Sequence, residues 1–209
     1  MKIICTADTH GLHERLKLPS ADVLIVAGDI CPMGRMEDVR AFGQWLGNLP
    51  HSHKVVIAGN HDKPFQVNPT EAISALIGND PTIHYLQDSA ITIDGIKFYG
   101  SPWTPTFMNW YFMADKGEEI QQMWNKIPTD TDVLITHGPP AGILDNVKGT
   151  PEGCIDLLKR VSEVNPKYHI FGHIHEGYGM RQREEVTYVN ASLCDARYRP
   201  INAPIEIEL

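Results

Sequence analysis

The stretch FGHIHEGYG at residues 171–179 places two histidines, His173 and His175, one residue apart, between glycines and beside Glu176. Two neutral imidazoles at this spacing gain nothing from packing on each other, and two protonated ones repel. An isolated pair of this kind is more often a polar turn than a metal site. The alternative is that each imidazole presents a ring nitrogen to a metal ion, since histidine is the commonest metal ligand in proteins. The rest of the chain has to distinguish the two interpretations.

Metal-ligating residue types also follow other short apolar runs of the chain. Five such runs end in aspartate, asparagine or histidine, usually beside glycine: Asp8 with His10, then Asp29, then Asn60 with His61 and Asp62, then His137, and finally His173 with His175. Each residue taken alone has an ordinary explanation as a turn former, a helix cap or a surface histidine. If these residues were unrelated turn formers and helix caps, aspartate, asparagine or histidine would not be expected at every strand end. Because ligand sites in open α/β sheets form just beyond the carboxyl ends of strands, the pattern predicts one shared site.

The residue types at these positions suit a pair of divalent ions. Carboxylate and imidazole are ligands for Mn²⁺, Fe²⁺ and Zn²⁺, and cysteine is absent from these positions. Asp8 and Asp29 supply two negative charges, so two divalent ions would leave a net charge of about +2. That surplus attracts phosphate and lowers the pKa of a bound water towards neutrality. A purely structural metal site is usually closed and its charge better compensated.

The elements that must position these residues alternate between strand and helix, which predicts α/β architecture. Five runs are almost continuously apolar and rich in β-branched residues, as expected for strands buried on both faces: 2–7, 22–28, 54–59, 132–138 and 168–173. Helical periodicity appears over residues 36–49 and 154–164.

Three other segments predict strands outside this alternation. Residues 91–100, ITIDGIKFYG, carry Asp-Gly between two alternating runs, which is typical of a tight hairpin. Residues 186–192 and 203–209 also have strand character. A mixed pair of sheets flanked by helices accommodates these segments better than one doubly wound sheet.

Length and composition predict one soluble globular domain over residues 1–209, with 42% apolar and 21% charged residues. No apolar stretch approaches the ~20 residues that span a bilayer. The first residues, MKIICTADTHG, have the pattern of a buried strand and lack that of a signal peptide, so we expect a cytoplasmic protein without a membrane partner. The net charge of −8 and the absence of a basic run argue against binding of long nucleic acid.

The chain resembles the calcineurin-like metallophosphoesterases in five motifs that occur in the family's order across nearly the whole length: DTH (8–10), GD (28–29), GNHD (59–62), the histidine at 137 and GHIH (172–175). A closer resemblance is to the metallophosphoesterase-domain branch, which is similar to class III cyclic-nucleotide phosphodiesterases. It is carried by HKVVIAGNHD, GSPWTPTFMNW, ITHGPP, FGHIHEGYG and the closing YVNASLCDARYRPINAPIEIEL.

The resemblance implies a four-layer α/β/β/α sandwich, with two mixed β-sheets flanked by helices and a binuclear metal site at the carboxyl ends of the strands. It also implies which residues hold each ion. The first metal would be bound by Asp8, His10 and His175, the second by Asn60, His137 and His173, with Asp29 bridging the two. The two histidines of GHIH would thus serve different metals.

His61 receives no metal in this scheme. The resemblance implies that it contacts the phosphoryl group and protonates the leaving oxygen, and that Asp62 orients its ring. The expected reaction is hydrolysis of a small phosphodiester, with cyclic nucleotides as candidates, through attack of a hydroxide that bridges the ions. Mn²⁺ is the expected metal, and Fe²⁺ and Zn²⁺ accept the same ligands.

Two other functions stay open at this point. A phosphomonoesterase or a nuclease would use the same scaffold, although the charge of −8 counts against a processive nuclease. A scaffold that has lost catalysis and binds proteins would be expected to have eroded ligands, whereas every motif here is intact. The sequence does not predict the oligomeric state or the physiological substrate.

The aromatic segment 102–112 has two interpretations. Its rings either fill the core or form a wall that stacks on a nucleobase or an aryl leaving group; they belong to Trp103, Phe107, Trp110 and Phe112, with Asn109 among them. Tyr178, just after GHIHEG, is a further candidate for such a wall. The stretch CPMGRMED after Asp29 has no match to the family pattern, so any substrate contacts there are left open.

Overall fold

The computed structural model describes residues 1–209. The strands are β1 (Lys2–Thr6), β2 (Val23–Ala27), β3 (His53–Ile57), β4 (Ile83–Tyr85), β5 (Ser89–Ile93), β6 (Ile96–Ser101), β7 (Thr104–Pro105), β8 (Met113–Ala114), β9 (Val133–Thr136), β10 (Asn146–Val147), β11 (Thr150–Pro151), β12 (Tyr168–Phe171), β13 (Gly179–Arg183), β14 (Val186–Asn190) and β15 (Ile205–Glu208). The α-helices are α1 (Met36–Gly47), α2 (Lys63–Val67), α3 (Pro69–Ile77), α4 (Glu118–Trp124) and α5 (Ile155–Val164). No helix has both the length and the apolar character that crossing a bilayer requires.

Two mixed sheets form the framework. The first has the strand order β15-β1-β2-β3-β4 and is parallel except for β15. The second has the order β13-β14-β12-β9-β6-β5, in which the four inner strands are parallel and the two edge strands antiparallel. The pair of mixed sheets was predicted, because the hairpin and the C-terminal strands do not fit one doubly wound sheet.

Three apolar layers hold the sheets and helices together. The central layer lies between the sheets, where Ile25 and Val55 of the first face Val133 and Ile170 of the second. Along each strand of the first sheet, the residues that alternate with those of the central layer point the other way and pack on α1, α2 and α3. Those of the second pack on α4 and α5. Both faces of the parallel strands are therefore buried, and the predicted four-layer α/β/β/α sandwich is confirmed.

The predicted elements are present with ends that differ by a few residues, whereas several short ones were missed. The hairpin of β5 and β6 turns at Asp94 and Gly95, whose φ angles of 49° and 81° suit the left-handed turn that Asp-Gly favours. Missed elements include the three-residue β4, helices α3 and α4, and β13. Short or mostly exposed segments such as β13 carry little apolar periodicity, so pattern analysis has little to detect.

The carboxyl ends of the parallel strands meet at one edge of the sandwich. A short bridge joins the two sheets there: the Ala7 amide donates to the Ala191 carbonyl at 2.8 Å, and the Leu193 amide donates to the Ala7 carbonyl at 2.8 Å. This bridge brings the segment after β14 of the second sheet against the end of β1 in the first. The predicted strand-end residues of both sheets consequently face one region.

Candidate metal centre

The backbone turns sharply where the candidate ligands leave their strands. Asp8, His10, Asp29 and His173 all have positive φ angles, between 42° and 67°. Non-glycine residues adopt this region uncommonly, and residues held there cluster at functional sites. Backbone hydrogen bonds join the turn after β1 to the turn after β2. The Asp8 amide donates to the Gly28 carbonyl, and the His10 amide donates to the backbone carbonyl of Asp29, both at 3.0 Å.

Two glycines leave room for the carboxylates at the centre. A Cβ atom at Gly59 would overlap Asp29 Oδ1, and one at Gly172 would overlap Asp8 Oδ2. Neither glycine has a positive φ, so close approach rather than backbone freedom requires the missing side chain. This explains why glycine accompanies the ligand residues in the GNHD and GHIH motifs.

Asp8, His10 and His175 form the first group of candidate ligands. One ligand atom from each lies within 4.8 Å of the others. His10 Nε2 and His175 Nε2 are 3.3 Å apart, and His175 Nε2 is 3.7 Å from Asp8 Oδ1. The Nδ1 atom of His175 donates to the Asp195 carbonyl at 3.0 Å, which turns Nε2 towards the group.

Asn60, His137 and His173 form the second group of candidate ligands, with Asn60 from the first sheet and the two histidines from the second. His137 Nε2 is 2.9 Å from Asn60 Oδ1, while its Nδ1 faces the Ala27 carbonyl at 3.0 Å. The rings of His137 and His173 have centroids 5.0 Å apart. His137 is fully buried, so its orientation is fixed by these two contacts.

Asp29 lies between the two groups and turns one carboxylate oxygen to each. Oδ1 is 3.4 Å from His137 Nε2, and Oδ2 is 3.8 Å from His10 Nε2. The His61 backbone amide donates to Oδ1 at 2.8 Å and holds the carboxylate in place. The structure thus brings all seven predicted metal-ligating residues together, with Asp29 in the position that a bridging ligand would need.

The donor set fits divalent ions of the kind that bind imidazole and carboxylate. The imidazole nitrogen His137 Nε2 has the amide oxygen of Asn60 at 2.9 Å and a carboxylate oxygen of Asp29 at 3.4 Å, and no sulfur is among these atoms. His10 Nδ1 is buried without a hydrogen-bond partner in the protein, whereas its Nε2 faces His175 Nε2 within the first ligand group. Two ions held here would be bound by Asp8, His10 and His175 on one side and by Asn60, His137 and His173 on the other, with Asp29 shared.

In the absence of metal, the buried histidines and aspartates of the centre form ion pairs, His137 with Asp29 and His175 with Asp8. Burial alone would lower the pKa of both His137 and His175, but Asp29 and Asp8 respectively raise each pKa to about 9. Burial opposes ionisation of Asp8, yet the close ion pair with His175 brings the pKa of that carboxyl to about 2. Burial and the charge on His137 bring the pKa of His173 down to about 4.

Metal binding should therefore displace protons from His137 and His175. Both imidazoles are protonated below about pH 9 in the metal-free protein, and coordination requires the neutral ring. At pH 7.5 we expect the binding of two Mn²⁺ to release about two protons, with metal affinity rising as the pH is raised towards 9. Calorimetric titration in buffers of different ionisation enthalpy measures the release. Binding without proton release would contradict the assignment of these two ligands.

His61 faces the centre from the Asp29 side. Its Nε2 is 4.0 Å from Asp29 Oδ2, and its Nδ1 donates to the Pro32 carbonyl at 2.8 Å. The ring stacks on Trp110 with centroids 4.1 Å apart and planes 28° from parallel. His10, Asp29 and His61 also form a third cluster of possible ligand atoms within 4.8 Å, so His61 is close enough to serve either as a ligand or as a proton donor.

The prediction that Asp62 orients the His61 ring is wrong. The Asp62 carboxylate is fully buried and accepts backbone amides from Gly59 at 2.8 Å, Cys31 at 2.9 Å and Ile30 at 3.2 Å. Burial and then the neighbouring Asp29 raise its pKa to about 6. Its part in the site is to tie the loop after β2 to the loop after β3, and the Pro32 carbonyl orients the imidazole instead.

A cavity of about 450 Å³ opens beside the centre. Its lining includes Phe107, Met108 and Trp110 from the aromatic segment, with Phe107 56% exposed. Trp103 and Phe112 of the same segment instead pack against each other beside the first sheet. The core interpretation is therefore correct for Trp103 and Phe112, whereas stacking of Phe107 or Trp110 on a substrate stays a prediction.

Other lining residues come from four separate parts of the chain. Lys116, Glu152, Glu176 and Tyr198 complete the polar and aromatic wall. Tyr178 does not reach the cavity, because its ring packs on the central core and its hydroxyl donates to the Ala203 carbonyl.

Two residues of the centre were missed from the sequence. Ser192 donates its hydroxyl to Asp8 Oδ2 at 2.6 Å, and its position just beyond β14 is a strand-end signal like those of the other motifs. The Tyr198 ring lies 4.8 Å from the ring of His10 and 5.2 Å from that of His175, by centroids. No pattern marks Tyr198, because it stands in an irregular turn that long-range contacts, such as that of the Asp195 carbonyl with His175, bring to the site.

Comparisons with known proteins agree with the fold. The model of the family described as calcineurin-like phosphoesterase matches residues 1–177. The human metallophosphoesterase domain-containing protein 1 is 42% identical over 100% of this chain and 71% of its own length. A Caenorhabditis elegans protein, UPF0046 protein K07C11.7, is 38% identical over 93% of this chain and 70% of its own.

Solved structures share the architecture at low identity. The structure of TT1561 of Thermus thermophilus superposes with a TM-score of 0.66 at 17% identity, covering 90% of this chain and 88% of that one. A protein described as a novel archaeal phosphodiesterase superposes with a TM-score of 0.52 at 15% identity, covering 100% of both chains.

Proposed function

The chain belongs to the calcineurin-like phosphoesterase family and its metallophosphoesterase-domain branch, and from that membership we propose that it is a small-molecule phosphodiesterase that uses two divalent ions, Mn²⁺ being the expected metal. The family makes it a metal-dependent phosphoric ester hydrolase. Within this class of hydrolase, we propose that the chain prefers phosphodiesters, with cyclic nucleotides among the candidate substrates.

The charges of the cavity carry the preference for diesters. Lys116 is the only lysine of its lining, no arginine is present, and the carboxylates of Glu152 and Glu176 are added to that of Asp29. A phosphomonoester arrives as a dianion, which gains from additional fixed cations and is repelled by nearby carboxylates. A phosphodiester carries one negative charge, which matches the net charge of about +1 that two divalent ions would leave with Asp8, Asp29 and a bound hydroxide.

The apolar part of the cavity supports the same preference. A diester has an organic group on a second ester oxygen, and this group needs a surface that a monoester does not use. Phe107, Met108 and Trp110 offer such a surface beside the centre. The cavity volume of about 450 Å³ suits a nucleotide-sized ligand, and the net charge of −8 disfavours a long polyanion.

When bound, the two ions supply positive charge to the phosphoryl oxygens and lower the pKa of water towards neutrality. Residues of the chain position the ligand groups and supply the proton for the leaving oxygen. Asp29 fixes the spacing of the two ligand groups through its two oxygens. His61 keeps one proton on Nδ1 through the Pro32 carbonyl, so the proton it gives to the leaving oxygen is the one on Nε2, which faces the centre.

The substrate class is tested with metal-stripped protein to which Mn²⁺ is restored. Rates are compared on bis-p-nitrophenyl phosphate, p-nitrophenyl phosphate, and 2′,3′- and 3′,5′-cyclic nucleotides, with the stripped protein as the control. We expect metal-dependent turnover with higher kcat/KM on the diesters. A strong preference for p-nitrophenyl phosphate would establish a phosphomonoesterase instead. Absence of metal-dependent turnover on every substrate would favour a non-catalytic scaffold.

A further inference from the structure

We propose that Trp110 is a positioning residue that holds the His61 ring in the plane from which Nε2 delivers its proton. This inference rests on the proposed function, since it concerns the step in which the leaving oxygen is protonated. Trp110 lies outside the five motifs that carry the metal ligands.

The contacts of His61 show why a second constraint is needed. The hydrogen bond from Nδ1 to the Pro32 carbonyl, at 2.8 Å, fixes one direction of the ring but leaves it free to tilt about that axis. The indole of Trp110 stacks on the ring at a centroid distance of 4.1 Å, and the ring of His10 packs against it at 4.7 Å with the planes 77° apart. Together these two contacts fix the plane of the ring.

Trp110 is itself anchored to the loop that carries His61. The amide of the next residue, Tyr111, donates to the Asn60 carbonyl at 3.3 Å. The amide of Phe112 donates to Gln66 Oε1 at 2.8 Å, and the Phe112 ring is fully buried. The backbone that follows Trp110 is therefore tied to the GNHD loop at Asn60 and to helix α2 at Gln66, which holds the indole close to His61.

The stacking also limits what else Trp110 can do. One face of the indole is covered by His61, so a substrate in the cavity that Trp110 lines can contact only the rest of the side chain. A role in substrate stacking would change the binding of every aryl substrate alike. A role in holding His61 would matter only when the leaving oxygen needs a proton, and this difference makes the two roles separable.

The experiment compares Trp110→Ala, Trp110→Phe, His61→Asn and the double variant that combines Trp110→Ala with His61→Asn, all loaded with Mn²⁺. The substrates are two diesters with the same second ester group and leaving groups of similar size, phenol and p-nitrophenol. We expect Trp110→Ala to lower kcat on the phenyl ester by ~10-fold or more and on the p-nitrophenyl ester by less than ~3-fold, with little change in KM. Trp110→Phe should restore most of the loss.

The His61→Asn background provides the decisive comparison. If Trp110 acts through His61, adding Trp110→Ala there should not lower kcat further. Trp45→Ala serves as the control, because it removes an indole that packs on Phe42 in the outer layer. Metal content, measured on every variant, should be unchanged.

Equal losses on the two esters, or a rise in KM that persists without His61, would overturn the inference and assign Trp110 to substrate contact or to packing. These results would leave the proposed function intact, because the wild-type protein would still hydrolyse both diesters. Failure of the wild-type protein to turn over either diester with Mn²⁺ would overturn the proposed function and this inference with it.

Discussion

Replacement of Asp29 by asparagine is expected to remove metal binding and activity together. The carboxylate turns Oδ1 to His137 at 3.4 Å and Oδ2 to His10 at 3.8 Å, so one side chain serves both ligand groups. Asparagine keeps the shape but removes a negative charge and turns an NH₂ group towards one of the two metals. Changes to outer-shell partners alone cost about 10–100-fold, and we expect loss of a shared ligand to lower kcat/KM by more than ~100-fold.

Metal content and kinetics are measured on the same Asp29→Asn preparation. The matched control is Asp132→Asn, which removes a carboxylate at the opposite end of the second sheet, where Asp132 accepts the Lys97 amide at 3.0 Å. The control should retain both ions and full turnover. An Asp29→Asn protein that still binds two ions per chain with wild-type affinity would contradict the bridging role.

The strand ends made the metal centre predictable from sequence. A parallel strand fixes both the burial of its apolar run and the edge at which its last residue emerges, so residues such as Asp8 and His137 can be placed together without knowing any side-chain contact. The same logic extends to Ser192 after β14, although it carries no ligand atom type that singles it out. Strand topology thus predicts the cluster of candidate residues, whereas the assignment of each residue to one of the two ions came from the resemblance to the family.

The contacts that orient the ligands were not predictable in this way. The Pro32 carbonyl that holds His61 comes from an irregular loop, where no period relates sequence to direction. Asp62 was given the wrong partner, because its place beside His61 in the sequence says nothing about its side chain, which points into the loop after β2. Tyr198 lies at the site because its turn is held by contacts between segments far apart in the chain, such as that of the Asp195 carbonyl with His175. Such contacts depend on tertiary packing of non-repeating backbone.

Replacement of His61 by asparagine is expected to slow turnover according to the leaving group. Nε2 lies 4.0 Å from Asp29 Oδ2, at the edge of the centre, and Nδ1 is held by the Pro32 carbonyl. A general acid contributes about 10²–10⁴-fold where the leaving oxygen needs a proton. We expect a loss of that size with a phenol or alkoxide leaving group and a much smaller loss with p-nitrophenolate, which departs without a proton. Steady-state kcat on the two kinds of diester measures the difference.

Metal content decides between the two roles that the position of His61 allows. His61 shares a cluster of possible ligand atoms with His10 and Asp29, so a ligand role would make His61→Asn lose metal and slow all substrates alike. A proton-donor role would leave two ions bound and confine the loss to poor leaving groups. His53→Asn is the control, since His53 pairs with His84 at the start of β3, away from the centre. The resemblance to the family implies the proton-donor role, and an equal loss on both substrates would reject it.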